Sequence, residues 1–146
     1  MKEYNVDEVD IIVFAKKLTG AADGTKVKVG RNARTFTLKV GSGGEGTRSK
    51  SNDKSGYIEV SLMASSDDNA FLTGIMLADE VANAGVVPVL VKDKSGADLH
   101  QASNAFIEGP PDAEYATEVG TRTWRFLTDD LDMALNGNNA VTPYSG

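Results

Sequence analysis

Few side chains in this sequence are suited to chemistry. His100 stands as the one histidine, and there is no cysteine. The lack of thiols excludes a disulfide framework, an iron–sulfur cluster, a zinc–thiolate site and a cysteine nucleophile. One imidazole excludes a multi-histidine metal site within one chain. His100 lies beside Gln101 and Ser103 and reads as a surface or structural residue rather than a catalyst. Asp129, Asp130 and Asp132 bring carboxylates together as a hard cation would need. The spacing and turn glycine of a calcium loop are missing, so an exposed strand face or turn is expected there, with no metal. Asp67-Asp68 suits a helix start, where carboxylates meet the positive end of the helix dipole. The serines stand in no GxSxG or SxxK pattern. Gly41, Gly43 and Gly46 fit GxGxxG after a strand-like run, but the following TRSKSNDKSG has no apolar face to make the helix that a dinucleotide site requires. No cofactor and no catalysis are expected.

Charge is unevenly spread. Of 15 basic and 21 acidic residues, 13 of each fall within positions 1–96, while residues 97–146 hold Arg122 and Arg125 against eight acids. A net charge of −6 argues against a protein that neutralises nucleic-acid phosphates. The acidic last third reads either as a solvated surface or as one that must not stick to a polyanion. TRTWRF (121–126) interleaves arginine with aromatics and could stack on single strands. In so acidic a setting it reads instead as a core Trp124 and Phe126 flanked by wet arginines. No apolar run approaches the roughly 18 residues of a membrane span, and the acidic, polar MKEYNVDEVD is unlike a signal peptide.

The elements are strands and one helix, in a single domain spanning 1–146. VDIIVFAKKL (9–18) has strand composition. TKVKVGRN (25–32) and RTFTLKV (34–40) both alternate and are expected to pair through a turn at Asn32-Ala33. Residues 41–56 hold five glycines, four serines, five charges and no large apolar side chain. A loop this long is unusual in a small domain and is usually functional or disordered, so an arm is expected. GYIEVSLM (56–63) alternates again. DNAFLTGIMLADEVANA (68–84) is the helix, with Phe71, Ile75, Ala78 and Ala82 on one face and Leu72 beside them. Ser65, Ser66 and Asp67 are cap candidates and Gly85 is the expected stop. VVPVLVKD (86–93) is a strand whose Pro88 points to an edge or to the strand's beginning. Residues 99–109 return as a strand, and 114–135 form two strands or one bent at Gly120. The tail 136–146 looks unstructured.

The order and spacing of GEGTRSKSNDKSGYIEVSLMASSDDNAFLTGIMLADE and GVVPVLVKDKSGADLHQASNAFIEGPPDAEYATEVGTRTWRF resemble the tail tube proteins of contractile-tailed bacteriophages over about residues 9–135. The resemblance implies a mainly antiparallel β-sandwich or barrel with one flanking helix. It also implies hexameric rings whose strands join into an inner β-barrel, stacked into a hollow tube through which the genome and the tape-measure protein pass. Further partners implied are the tail sheath and a baseplate initiator; the setting is the virion tail, after synthesis in the host cytoplasm. Arg48, Lys50, Asp53 and Lys54 in the arm are the candidate subunit-interface residues. Glu59, Glu114 and Glu118 are the candidate lumen-facing residues, on even spacing along their strands. DNA would slide through such a wall without specific binding. The rival classes are a monomeric ligand- or receptor-binding β-sandwich of a virion and a hydrolase on a β scaffold. A phage-like bacteriocin or secretion system would use the same tube.

Overall fold

The computed structural model describes residues 9–19, 27–93, 98–113, 115 and 120–135. Among these, the chain forms ten strands and one helix. They are β1 (Val9–Val13), β2 (Lys16–Lys17), β3 (Val27–Arg31), β4 (Phe36–Val40), β5 (Gly46–Lys50), β6 (Gly56–Met63), α1 (Asp68–Ala82), β7 (Val87–Asp93), β8 (Asp98–Ile107), β9 (Thr121–Thr128) and β10 (Leu131–Ala134). All strand pairings within the two sheets are antiparallel, and the main sheet runs β2-β1-β7-β8-β9-β6-β3. The same side of β8 is shared: Leu99–Ala102 pair with β10, and Ala105–Ile107 pair with β9.

That division bends the sheet over its own core. Val9, Ile11 and Val13 of β1 and Val89 and Val91 of β7 meet Ile58, Val60 and Leu62 of β6 and Trp124 and Phe126 of β9 in one cluster. Each fully buried side chain of this size stabilises the fold by about 1.5–3 kcal/mol. The arginine of β3 ties the two halves together, since Arg31 Nε and Nη2 donate to the Leu131 carbonyl at 3.0 and 2.8 Å. Trp124 is buried, and its indole donates to Asn69 Oδ1 at 2.9 Å, which fastens α1 to β9.

Several expectations need correction. Residues 25–32 and 34–40 do not pair with each other. β3 pairs with β6, while β4 pairs with β5 in a separate two-stranded sheet. The segment 41–56 is accordingly not all loop: β5 lies within it and β6 begins at its end. Its polar residues suit a strand that is wet throughout and so has no need of an apolar face. The run 9–18 is likewise not one strand. Phe14 and Ala15 take φ of 49° and 65° and turn it back into β2, the backbone that a two-residue primed hairpin requires. Phe14 N–H donates to the Pro88 carbonyl at 3.0 Å, which holds the turn. Of the two positions expected for Pro88, the strand's beginning holds: it is the second residue of β7, which lies between β1 and β8 and is not an edge. Lacking an N–H, it sits where the β7–β8 register shifts between Val87 and Val89.

The helix is rotated from its expected face. Leu72 and Met76 are buried and Phe71 and Ile75 half-buried, but Ala78 and Ala82 are exposed. Turning the larger Leu72 and Met76 inward also buries Asp68, whose carboxylate accepts from Thr19 N–H and pairs with Lys16 at 3.3 Å. Asp67 occupies the N-cap without a side-chain cap bond, and Asn83, not Gly85, carries the left-handed C-cap at φ 51°.

Candidate assembly surfaces

Two surfaces stand apart from the core. The first is the solvent-side face of β3, β6 and β9, set by the strand alternation that sends every second side chain away from the core. Register lines these side chains in rows. Lys28 faces Glu59, and Glu59 faces Arg125; Glu108, just past β8, completes that row. Arg125 Nη1 lies 3.8 Å from Glu59 Oε1, and its Nε lies 3.5 Å from Glu108 Oε2. The guanidinium also stands 4.7 Å over the Tyr57 ring, a cation–π contact. The next row runs Gly30, Tyr57, Leu127, Phe106. On the other side of the charged row, Ser61 and Thr123 hydroxyls meet at 3.1 Å. This face therefore holds charge in alternation, with cations and carboxylates balanced across the row.

Glu59 lies on that face beside Arg125. Its charge is thus compensated, not part of a bare acidic wall. Glu114 and Glu118 lie outside the described residues. Of the eight acids in the last third, Asp129 and Asp130 stand in the turn between β9 and β10, where Lys54 and Asp130 form a parallel bridge.

The second surface is the β4–β5 hairpin. Both strands are exposed at every position, and each pairs only with the other. The turn between them is closed by Gly41 N–H to the Glu45 carbonyl at 2.8 Å, with Gly44 at φ 84°. The GxGxxG match is thus a hairpin tip with no helix after it. Register puts Phe36, Leu38 and Val40 opposite Lys50, Arg48 and Gly46, all on one face, and Arg48 stacks 4.7 Å over the Phe36 ring. Leu38 is 72% exposed. The opposite face carries Thr37, Lys39, Thr47 and Ser49. Apart from the Arg48 stack on Phe36, the three apolar side chains of this row stay exposed, with no other element of the described residues over them.

The four residues expected at an interface divide between the arm and its root. Arg48 and Lys50 stand on β5. Asp53 and Lys54 lie where the chain returns to the sheet: Asp53 Oδ1 accepts from Ser55 N–H at 2.9 Å, and Leu131 N–H donates to the Lys54 carbonyl at 2.9 Å. Hydrogen bonds from the Ser55 side chain and backbone hold the Asp53 carboxyl below the usual range. The apolar row of β4 was not among the expected interface residues, because alternation does not tell a face turned to a core from one turned to another chain. Its signal was the bare polarity of the strand that follows it.

His100 is buried on β8, opposite Val91 and Met133. Burial lowers its imidazole from the ordinary 6.5, with Asp98 and Asp93 opposing that effect. No cluster of three or more histidine, aspartate or glutamate side chains that could hold a metal ion occurs among the described residues.

Comparison with known proteins places this geometry. Structural protein ORF10 of Pseudomonas phage KPP10 is 28% identical over 148 residues, covering 96% of this chain and 86% of that protein. In fold, the chain is similar to the tube-terminating cap of the anti-feeding prophage, with a TM-score of 0.64 at 10% identity over 92% of this chain and 93% of that one. It is similar also to a chain of the sheath–tube complex of the PVC extracellular contractile injection system in its extended state. There the TM-score is 0.59 at 11% identity, over 91% of this chain and 92% of the other. The family described as Bacteriophage PhiTE tail tube protein matches residues 14–136. From the turn after β1 to beyond the end of β10, the match takes in every strand but β1, with the helix and the arm, and the chain belongs to that tail tube family.

Proposed function

We propose that this chain is the structural subunit of a hollow phage tail tube, built of six-membered rings that stack along an axis. The observation that carries the reading is the β4–β5 arm, whose exposed Phe36, Leu38 and Val40 are left uncovered by the other elements among the described residues. A monomer would leave this apolar strand in water, while burial against another copy would stabilise the contact by roughly 25 cal/mol per Å² of apolar area. Strand edges give the ring: among the described residues β3 has one neighbour, β6. Pairing such an edge with the next copy turns an aggregation risk into closure.

In this reading the solvent-side face of β3, β6 and β9 lines the channel, so that Glu59 faces the lumen with Arg125 and Glu108; Glu114 and Glu118, outside the described residues, stay lumen candidates from the sequence alone. A charge-balanced row neither grips a duplex nor repels it strongly, which suits passage of DNA without specific binding. Arg48 and Lys50 act between copies, with Asp53 and Lys54 fixing the root of the arm. The subunit does no catalysis. The surrounding sheath, a baseplate initiator and a tape-measure protein are its partners, and the virion tail is its place after synthesis in the bacterial cytoplasm.

The test is a triple variant, Phe36→Ser with Leu38→Ser and Val40→Ser, followed by sedimentation at increasing concentration. Since these side chains lie outside the core, unfolding is expected to stay within about 0.5 kcal/mol of the parent, while assembly is lost. A variant that assembles like the parent would overturn the role of the arm.

A further inference from the structure

The arm has an apolar and basic face, and the outward side of α1 has an apolar and acidic one. Ala70, Gly74, Leu77, Ala78 and Val81 recur at helical spacing on the side of α1 opposite Leu72 and Met76, all exposed, with Val81 86% exposed. From Ala70 to Val81 the stripe covers 12 residues, about 17 Å at 1.5 Å per step. Phe36 to Val40 spans about 13 Å of strand, so the arm's apolar row fits along the stripe.

Charge matches as well as length. No lysine, arginine or histidine occurs between Lys54 and Lys92, while Asp67 and Glu80 flank the stripe at its two ends. The last turn of α1 carries no basic residue, leaving the negative end of its dipole without a cation from its own turn. Arg48 and Lys50, on the same side of the arm as Phe36, Leu38 and Val40, supply two. A shallow groove of about 580 Å³ over β1, β7 and β8, walled by Ile12, Leu90 and Leu99, is also apolar and is the rival landing site; Lys92, Asp93 and Asp98 all stand in its wall, so it mixes both charges and offers no helix end.

We infer that the β4–β5 arm of one copy docks on the outward face of α1 of a neighbouring copy, with Leu38 against Leu77 and Val81 and with Arg48 and Lys50 toward Glu80 and the helix C-terminus. This rests on the tube-subunit reading and specifies where the arm lands.

Because the chain has no cysteine, one introduced in each of two populations reports the contact cleanly. Leu38→Cys protein is mixed with Val81→Cys protein, assembled, and oxidised mildly; a disulfide needs Cα atoms within about 7 Å. Leu38→Cys mixed with Leu90→Cys serves as the comparison, since Leu90 lines the rival groove. The expected result is at least tenfold more disulfide-linked dimer for the Val81 pair. Glu80→Lys should raise the concentration needed for assembly about tenfold, and Arg48→Glu in the same chain should restore it. Assemblies that form normally but link no better through Val81, or link through Leu90, overturn the landing site and leave the tube reading standing. A parent protein that stays monomeric at high concentration and with a tail-assembly lysate overturns both.

Discussion

Two glycines mark how closely the strands approach. A Cβ on Gly56 would lie 2.5 Å from Leu131 Cδ2 and 2.6 Å from the Gly30 carbonyl oxygen, and the backbone atom cannot move aside. Gly56→Ala should therefore destabilise the subunit by about 2 kcal/mol. A Cβ on Gly30 would instead meet the end of the Tyr57 ring, with the hydroxyl at 2.7 Å. That ring lies on the solvent side and can swing, so Gly30→Ala should cost less than about 1 kcal/mol. Urea unfolding of dispersed subunits separates the two, and equal losses would contradict the packing described. His100 gives a pH signature. Its imidazole is held below 6.5 by burial, so the unfolded chain takes up a proton before the folded one does. The resulting stability is complete above about pH 6.5 and falls as pH drops from there toward the folded value. Thermal unfolding at pH 7.5 and 5.5 should show a smaller acid loss in His100→Leu than in the parent; an unchanged loss would exclude His100 as a source. The ion pairs of Arg125 are half-exposed, and such pairs are worth only about 0–1 kcal/mol. Their effect lies in the balance of charge on the face, more than in stability.

At the scale of elements, what could be read from the sequence was the period of each segment, and what could not was its partner. VDIIV and VPVLVKD have strand composition, GYIEVSLM and TRTWRF alternate, and each lies in a strand that contributes apolar side chains to the core. The β3–β6 pairing joins segments about thirty positions apart, and nothing local distinguishes it from the short hairpin expected across Asn32-Ala33. β4 shows the limit most clearly. Phe36, Leu38 and Val40 have the spacing of a core strand, yet all are exposed, because an apolar face to be covered by another chain is written like one covered by the same chain. The helix was plain from its spacing, but its inward face turned on which apolar residues were large. Glu59 was placed on the correct side of its strand by alternation alone; its compensation by Arg125 depends on a partner strand and was not legible. The hairpin also carries trypsin sites at Lys39, Arg48 and Lys50. They should be cut rapidly in dispersed subunits and at least tenfold more slowly after assembly, as read by mass spectrometry of the fragments. Equal rates in both states would remove the arm from the contacts.

For the whole molecule, one sheet bent over a single core leaves three features unspent: the end strand β3, a charge-balanced face, and a projecting arm with an apolar side. An isolated binding module has no need of all three, and a closed, stacked assembly uses each. In the proposed tube the edge would close the ring, the face would line the channel, and the arm would join copies. The most direct measurement is electron microscopy of the concentrated, purified protein, with a tail-assembly lysate added as nucleus in a parallel sample. Hollow tubes of stacked six-fold rings are the expected result. Particles that remain monomeric in both samples, or assemble into solid fibres with no channel, would contradict the account.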